Sequence, residues 1–440
     1  MHVTFIQPAI GRKADGSAYP ATWRMQPLGI AMLSALTPSA VSRTFFDDRF
    51  DEIDFSAPTD LVAISAECYT AARAYQIAAE YRRRGVKVVV GGFHATLMPD
   101  EVAEHADAVC IGEAEAYWDD LLEDVSKGAI KRRYNATIPP NLTNSSPDRV
   151  IFGNRRYGPV GMVETSRGCR FSCEFCSITR FYKASYRFRP VEDVVREVAS
   201  LRTKMFFFTD DNLAMDVERL KELCRAMIPL KIRWASQLSL HAAADEELLE
   251  LLRRSGCMAV LVGFESLDAG TLSIMDKGVN RNVDYRAAVA AFRKHGIALY
   301  ATFVFGYDED DEETFRRAFA FAQESRFFFA AFNHLVPFPG TALYERLKVE
   351  GRLLYDRWWL EREVTFGQVV FRPKRLTPER LLELCTEYRR KFYALGSIAR
   401  RGLDWRANVR TPFRFVWYWA GNIQQQREIN RRMGLPCGNP

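Results

Sequence analysis

The sequence predicts an α/β protein in three parts: a doubly wound Rossmann-like domain, a (β/α)6 partial TIM barrel and a helical C-terminal extension. Three observations predict it. From residue 1 to about 130, short β-branched runs alternate with helix-period stretches, as buried parallel strands and their crossover helices do. The alternation stops over residues 131–158, which are rich in turn formers, and restarts at 161 for six further strand–helix pairs. Beyond about 350 the β-branched runs cease and the chain turns basic, aromatic and helical. The expected division is therefore 1–130, a linker over 131–158, a barrel over 159–350 and an extension over 351–440.

Composition narrows the class. At 440 residues the chain is long for one core, and domains of ~150 residues suggest two or three. With 48% hydrophobic and 26% charged residues it reads as a soluble globular protein, and no apolar run approaches the ~20 residues of a membrane span. The start, His2-Val3-Thr4-Phe5-Ile6, reads as a first strand with neither a basic n-region nor a cleavage site, so no signal peptide is expected. Nine cysteines, an odd number, suit a reducing cytoplasm better than a disulfide framework. The net charge of +6 is concentrated: residues 372–440 hold fifteen Lys/Arg against five Asp/Glu, which leaves the first 371 residues slightly acidic.

In the first part, residues 3–7, 61–65, 87–90 and 108–111 read as buried strands, with helices over 28–36, 71–84 and 114–125. A doubly wound sheet binds ligand at the carboxyl ends of its strands. Those ends carry Ser65, Gly91-Gly92-Phe93-His94 and Gly112-Glu113. A lone Gly-Gly is usually a tight βα turn, but several small or polar strand ends together favour one shared crevice.

In the second part, strands are expected over 161–165, 205–209, 233–238, 259–264, 298–305 and 329–336, with helices over 191–201, 217–227, 246–254, 283–295, 312–324 and from 341. The first is followed directly by Cys169, Cys173 and Cys176 in the run Gly168-Cys169-Arg170-Phe171-Ser172-Cys173-Glu174-Phe175-Cys176. Three thiolates on one short loop can hold three irons of a [4Fe–4S] cube, and the missing fourth cysteine leaves one iron open. Gly168 lets the backbone approach such a cluster and Phe175 can shield one side. The blander alternatives are three unrelated buried thiols, or a zinc site one ligand short.

The cysteine loop resembles the CxxxCxxC signature of the radical S-adenosylmethionine (SAM) superfamily, including the aromatic before the last cysteine. The resemblance implies a reduced cluster whose open iron chelates SAM and cleaves it to a 5′-deoxyadenosyl radical. It also implies SAM contacts at the strand ends: Asp210, Asp211 and Asn212 near the amino group, Gln237 and Ser239 near the carboxylate or ribose, and Glu265 on a ribose hydroxyl. Gly306 falls on the family's strand facing adenine, and Pro337 in a PxPGT-like turn (Pro337-Phe338-Pro339-Gly340-Thr341). One residue of Thr209-Asp210-Asp211-Asn212 is expected to serve as the N-cap of the helix starting near Asp216.

Gly91-Gly92-Phe93-His94-Ala95-Thr96-Leu97-Met98-Pro99-Asp100-Glu101, with Gly112-Glu113-Ala114-Glu115 and Gln26-Pro27-Leu28-Gly29-Ile30, resembles the cobalamin-binding-type domain that precedes many radical SAM barrels. That resemblance implies cobalamin at Ser65, Gly91, Gly92, His94, Gly112 and Glu113. The DxHxxG motif that supplies an axial histidine to cobalt is absent, so cobalt is expected without one, His94 being the nearest histidine. The whole is most similar to cobalamin-type radical SAM methylases, alongside hopanoid methylases and the anaerobic porphyrin cyclase. What this implies is methylation of an unactivated carbon of a small-molecule or lipid-like substrate, with an electron donor such as flavodoxin or ferredoxin. Radical rearrangement, cyclisation or C–C coupling without methyl transfer stays open, as does a non-catalytic cobalamin or iron–sulfur sensor. No separate RNA-binding domain is visible, so no nucleic-acid partner is expected.

In the extension, Thr377-Pro378-Glu379 starts a helix with Leu381, Leu384, Tyr388 and Phe392 on one face, and Arg389, Arg390, Lys391, Arg400 and Arg401 crowd its end. Pro412-Phe413-Arg414-Phe415-Val416-Trp417-Tyr418-Trp419 sets aromatics beside arginine. Two readings are open: a helical cap on the barrel with its arginines in water, or peripheral attachment to anionic lipid.

Overall fold

The computed structural model describes residues 1–440 apart from 14, 16, 19–24, 144, 156, 281–282, 430–432 and 439–440. Two six-stranded parallel sheets stand in sequence. The first comprises β1 (His2–Gln7), β2 (Ser42–Asp47), β3 (Leu61–Ser65), β4 (Lys87–Gly91), β5 (Ala108–Ile111) and β6 (Arg133–Asn135), ordered β2-β1-β3-β4-β5-β6. Alternate residues of each strand serve opposite layers. Leu61, Ala63 and Val89 pack with Ile30 and Trp118 of helices Leu28–Leu36 and Trp118–Ser126, while Val62, Ile64, Val88 and Val90 pack with Ile77 and Val102 of Ala71–Arg83 and Pro99–His105. The strand order reverses between β1 and β3, which puts a crevice at their carboxyl ends.

Two features of this region depart from the sequence reading. The stretch 131–158, expected as a linker, contributes β6 at the sheet edge and a 3-10 turn, Arg149–Phe152, whose Phe152 enters the first core; its Asn144 lies outside the described residues. The helix expected over 114–125 is broken at Tyr117 into a 3-10 turn, Ala114–Ala116, and the helix Trp118–Ser126.

The second sheet consists of β7 (Gly161–Val163), β10 (Met205–Phe208), β11 (Arg233–Gln237), β12 (Cys257–Glu265), β13 (Ala298–Phe305) and β14 (Phe329–His334), all parallel and paired in chain order. Among the described residues no pairing closes β14 onto β7, so the barrel is open. A small antiparallel hairpin, β8 (Ser166–Gly168) with β9 (Tyr186–Phe188), brackets the cysteine loop.

The extension covers both parts. Helix Pro378–Phe392, capped by Thr377, lays Leu381, Leu384, Tyr388 and Phe392 into the barrel core, while Trp358 and Trp359 are fully buried against the first domain. Arg401 and Arg414 do not face water as the cap reading had it. Arg401 is fully buried, stacks 3.7 Å over Phe392 and donates to the carbonyls of Phe327, Phe328 and Phe392. Arg414 donates to Met258, Ala407 and Gly296 carbonyls. These arginines satisfy backbone acceptors at the amino ends of β12, β13 and β14, sealing the barrel floor opposite the strand ends that carry chemistry. Among the described residues no helix is long and apolar enough to cross a membrane.

Candidate active site

The cysteine loop leaves β8 at Gly168, where φ is +86° and a Cβ would meet the Ser185 carbonyl oxygen at 2.2 Å, so only glycine fits. The loop is held from two sides. Glu174 receives Arg346 at 2.8 Å, its carbonyl accepts from Leu343 N–H, its N–H donates to the Met275 carbonyl, and Ser172 bonds Asp276. Cys169, Cys173 and Cys176 are all free and line one cavity of about 200 Å³ with Phe175, Asp211, Asn212, Gln237, Ser239 and Glu265. Burial pushes the Cys173 thiol up to about 12 and raises that of Cys169, so metal binding here must release protons.

Among the described residues, two buried polar atoms at this cavity have no hydrogen-bond partner: Nδ2 of Asn212 and Oδ1 of Asn280. Orphaned buried donors and acceptors are costly and mark a place for a polar ligand. Asn212 Oδ1 accepts from Ser239 N–H at 3.2 Å, and Gln237 Nε2 donates to the Asp211 carbonyl at 2.9 Å. Asp211 is half-buried, and burial together with neighbouring Asp210 pushes its carboxyl up to about 7. Glu265 sits at a bulge in β12 with φ +60°, a left-handed conformation that a non-glycine residue holds only where its surroundings impose it. Its Oε1 is 2.9 Å from Lys277 Nζ. Burial pulls the Lys277 ammonium down, but Glu265 and the nearby cysteines outweigh it and hold it above the usual lysine range. Sequence reasoning missed Lys277: nothing in periodicity distinguishes it from a surface lysine, and only its burial over Phe175 does (5.9 Å).

Three expected SAM contacts lie elsewhere. Asp210 is buried and turned away, its carboxylate accepting from Thr165 N–H (3.2 Å), Thr165 Oγ1 (2.7 Å) and Ser166 Oγ; it fastens the turn between β7 and β8. Gly306, with φ +111°, would drive a Cβ to 2.8 Å from Phe371 and 2.9 Å from Leu381, so it serves close packing of the extension. Pro337 is buried outside the cavity, and its carbonyl accepts from Trp358 Nε1 at 2.9 Å.

At the strand ends of the first sheet, Ser65, Gly91, Gly92, Gly112 and Glu113 do come together, on a cavity of about 280 Å³. Gly92 (φ +94°) leaves no room for a Cβ, which would lie 2.7 Å from the Ala66 carbonyl oxygen; at Gly29, on the facing helix, a Cβ would meet nothing within 4 Å. Phe181 and Tyr182, from the helix Ser177–Tyr182 that follows the cysteines, form the roof, and Phe93 stacks on Phe181 at 4.3 Å. His94 is not in the crevice. It is fully buried with Nε2 3.0 Å from Glu101 and 3.1 Å from Tyr75, a structural histidine packed edge-on to Trp359.

Between the cavities, Arg167 of β8 pairs with Glu113 (2.7 Å), Glu115 (2.8 Å) and Glu164 (2.9 Å), and Arg187 of β9 also pairs with Glu113. Burial raises the Glu164 carboxyl and opposes the Arg167 charge, which Glu164 and Glu115 hold well above its ordinary value. Removing one partner from such a buried group leaves uncompensated charge and costs about 3–5 kcal/mol, so the cluster fixes the crevice relative to the cysteine loop.

Residues 163–322 match the family model described as the radical SAM superfamily. The chain is 32% identical over 406 residues to the bacteriochlorophyllide d C-12(1)-methyltransferase of Chlorobaculum tepidum, covering 89% of this chain and 86% of that one. It is 26% identical over 440 residues to the anaerobic magnesium-protoporphyrin IX monomethyl ester cyclase of Cereibacter sphaeroides, covering 89% and 70%. Its fold matches the radical SAM methyltransferase TsrM from Kitasatospora setae, solved with cobalamin and a [4Fe-4S] cluster bound, with a TM-score of 0.66 at 18% identity over 98% of this chain and 99% of that one.

Proposed function

This chain belongs to the radical SAM superfamily, and from that premise we propose that it is a cobalamin-dependent methylase acting on an unactivated carbon of an apolar small molecule, a tetrapyrrole of the bacteriochlorophyllide class. The observation that carries the reading is a shared wall. Helix Ser177–Tyr182 begins directly after the last cysteine and its Phe181 and Tyr182 roof the first-domain crevice, so groups held in the two cavities face one another across one short helix.

On this reading Cys169, Cys173 and Cys176 hold the cluster and leave one iron for SAM. Asp211, Asn212, Gln237, Ser239, Glu265, Lys277 and Asn280 surround the SAM; the orphaned Asn212 Nδ2 and Asn280 Oδ1 are a donor and an acceptor for it. Ser65, Gly91, Gly92, Gly112 and Glu113 line the slot for cobalamin, and their small side chains fit a flat appended ring between sheet and helix. When bound, the cluster with SAM supplies a 5′-deoxyadenosyl radical and cobalamin supplies the methyl group. The chain's own residues orient and enclose. Asp211 and Glu265 fix the two ends of SAM by charge-assisted hydrogen bonds, Phe175 and Lys277 close the cluster from water, and the Arg167–Glu113 cluster keeps the two cavities in register. A one-electron donor of flavodoxin or ferredoxin type reduces the cluster.

The likeness to the cyclase favours one rival, a radical reaction without methyl transfer. Anaerobic reconstitution with SAM, with and without cobalamin, separates them. Methylation yields S-adenosylhomocysteine beside 5′-deoxyadenosine, and only with cobalamin, whereas the rival yields 5′-deoxyadenosine alone.

The same reading places the protein in the cytoplasm and at a membrane surface. Leu395 (61% exposed), Trp405 (74%), Phe415 (51%) and Val416 (65%) stand out on the extension beside exposed Arg400, Arg406 and Arg410. Sedimentation with phosphatidylglycerol vesicles, but not phosphatidylcholine ones, is expected, and Trp405→Ser with Phe415→Ser should abolish it; equal recovery with both vesicle types would remove the membrane from the account.

A further inference from the structure

A third and larger cavity, of about 550 Å³, opens beside the cluster site. Part of its wall is apolar and aromatic, formed by Tyr300 and Val304 of β13, Tyr69 from the first domain, and Phe338 and Phe366; Asn333, His334, Gln425 and Glu428 supply a polar part. Phe175 lines this cavity and the cysteine cavity alike, so the two are separated by a single ring. Among the described residues one cation lines it, Arg389 of helix Pro378–Phe392. Its Nε donates to the Phe332 carbonyl at 2.9 Å and its Nη2 to Asn333 Oδ1 at 2.8 Å. Both acceptors are neutral. On the same helix Arg380 pairs with Glu312 and Glu383 and Lys391 with Glu387, while Arg390 faces solvent. Among the described residues no carboxylate forms an ion pair with Arg389. Glu428, the one acid on the lining, instead accepts from Gln424 Nε2 at 2.9 Å.

A half-buried guanidinium clamped by two neutral hydrogen bonds has its rotamer fixed and its charge uncompensated. That is the preorganised arrangement for a carboxylate brought in by a ligand. We propose that this cavity is the substrate site, and that Arg389 pairs with an ionised acid group of an otherwise apolar ring substrate while the opposite edge of the ring lies against Phe175. The carbon that reacts is then one remote from the acid. The inference rests on the methylase reading above and adds to it the group that is recognised and the direction in which the substrate lies.

The test uses cluster-loaded protein without SAM, titrated with bacteriochlorophyllide d as the free acid and as its methyl ester, and followed by the chlorin absorption shift. The acid should bind wild type about tenfold or more tighter than the ester, the scale of one charge-assisted hydrogen bond. Arg389→Gln should erase that difference while leaving ester affinity unchanged, and Arg389→Lys should restore part of it. Equal binding of acid and ester to wild type, or a preference for the acid that survives Arg389→Gln, overturns the proposal. The ester comparison in wild type needs no variant to fold. Formation of 5′-deoxyadenosine by the same reduced preparation separates the levels. If neither chlorin binds while SAM is still cleaved, the substrate site is wrong and the radical reading stands; if SAM is not cleaved, the reading beneath both is wrong.

Discussion

Replacing Glu265 by alanine should produce two separable losses. The side chain is only 6% exposed, and its Oε1 lies 2.9 Å from Lys277 Nζ. In the SAM-bound state it is assigned a charge-assisted hydrogen bond to a ribose hydroxyl, and losing such a bond costs about 1.5–3 kcal/mol. At 1.4 kcal/mol per factor of ten, SAM binding to cluster-loaded protein should weaken by roughly 10-fold to 150-fold. Independently, Glu265→Ala strands the Lys277 ammonium in a buried position, a loss of about 3–5 kcal/mol in the cluster-free protein. Equilibrium dialysis with labelled SAM reads the first loss, and urea unfolding of apo protein reads the second. Adding Lys277→Met removes the stranded charge, so the double variant should regain stability without regaining SAM affinity. Unchanged SAM affinity in Glu265→Ala refutes the ribose assignment. A double variant as unstable as the single one refutes the electrostatic argument.

Three further outcomes are expected. Changing Cys169, Cys173 and Cys176 together to alanine should abolish both iron uptake and reductive SAM cleavage, and retention of either would place the cluster elsewhere. Asp211, with its carboxyl pushed up to about 7, is ionised above that pH and protonated below it, and the ionised form is the better hydrogen-bond acceptor for the SAM amino group; SAM affinity should therefore fall about tenfold from pH 8 to pH 6 in wild type and stay flat in Asp211→Asn. Gly29→Phe has open space for its Cβ and gains helix propensity, so it should fill the first-domain slot and block cobalamin uptake while the cluster still assembles, and the cob(II)alamin spectrum of wild type should lack the nitrogen splitting that an axial His94 would impose.

Most of this architecture was legible because both sheets are parallel and buried on two faces, which writes strands as continuous apolar runs such as Leu61–Ser65 and Ala298–Phe305. What was missed lies at sheet edges. β2 (Ser42–Asp47) and β6 (Arg133–Asn135) are half-exposed, mix charge with aromatics and carry no such run. The three cysteines stand on one loop of the structure, as their close spacing in the sequence requires. Asp210 and Asp211 are adjacent, yet one turns into the β7–β8 turn and the other into the cavity, and sequence does not say which. Gly306 and Pro337 sat in familiar-looking turns, but the extension packs against both, and no local signal announces a contact with Phe371 or Trp358. The glycines at 91, 92 and 112 share one cavity because several small strand ends coincide, whereas His94 turns away to Glu101 on the next helix, a contact its position in the sequence does not announce.

The central claim is that methyl transfer and SAM cleavage are coupled across the shared helix. Its most direct test is an anaerobic incubation of cluster- and cobalamin-loaded protein with SAM carrying a deuterated methyl group and bacteriochlorophyllide d as acceptor, analysed by mass spectrometry. The expected product bears one deuterated methyl, with one S-adenosylhomocysteine and one 5′-deoxyadenosine formed per product. A tetrapyrrole product without the label, formed with 5′-deoxyadenosine alone, would contradict it.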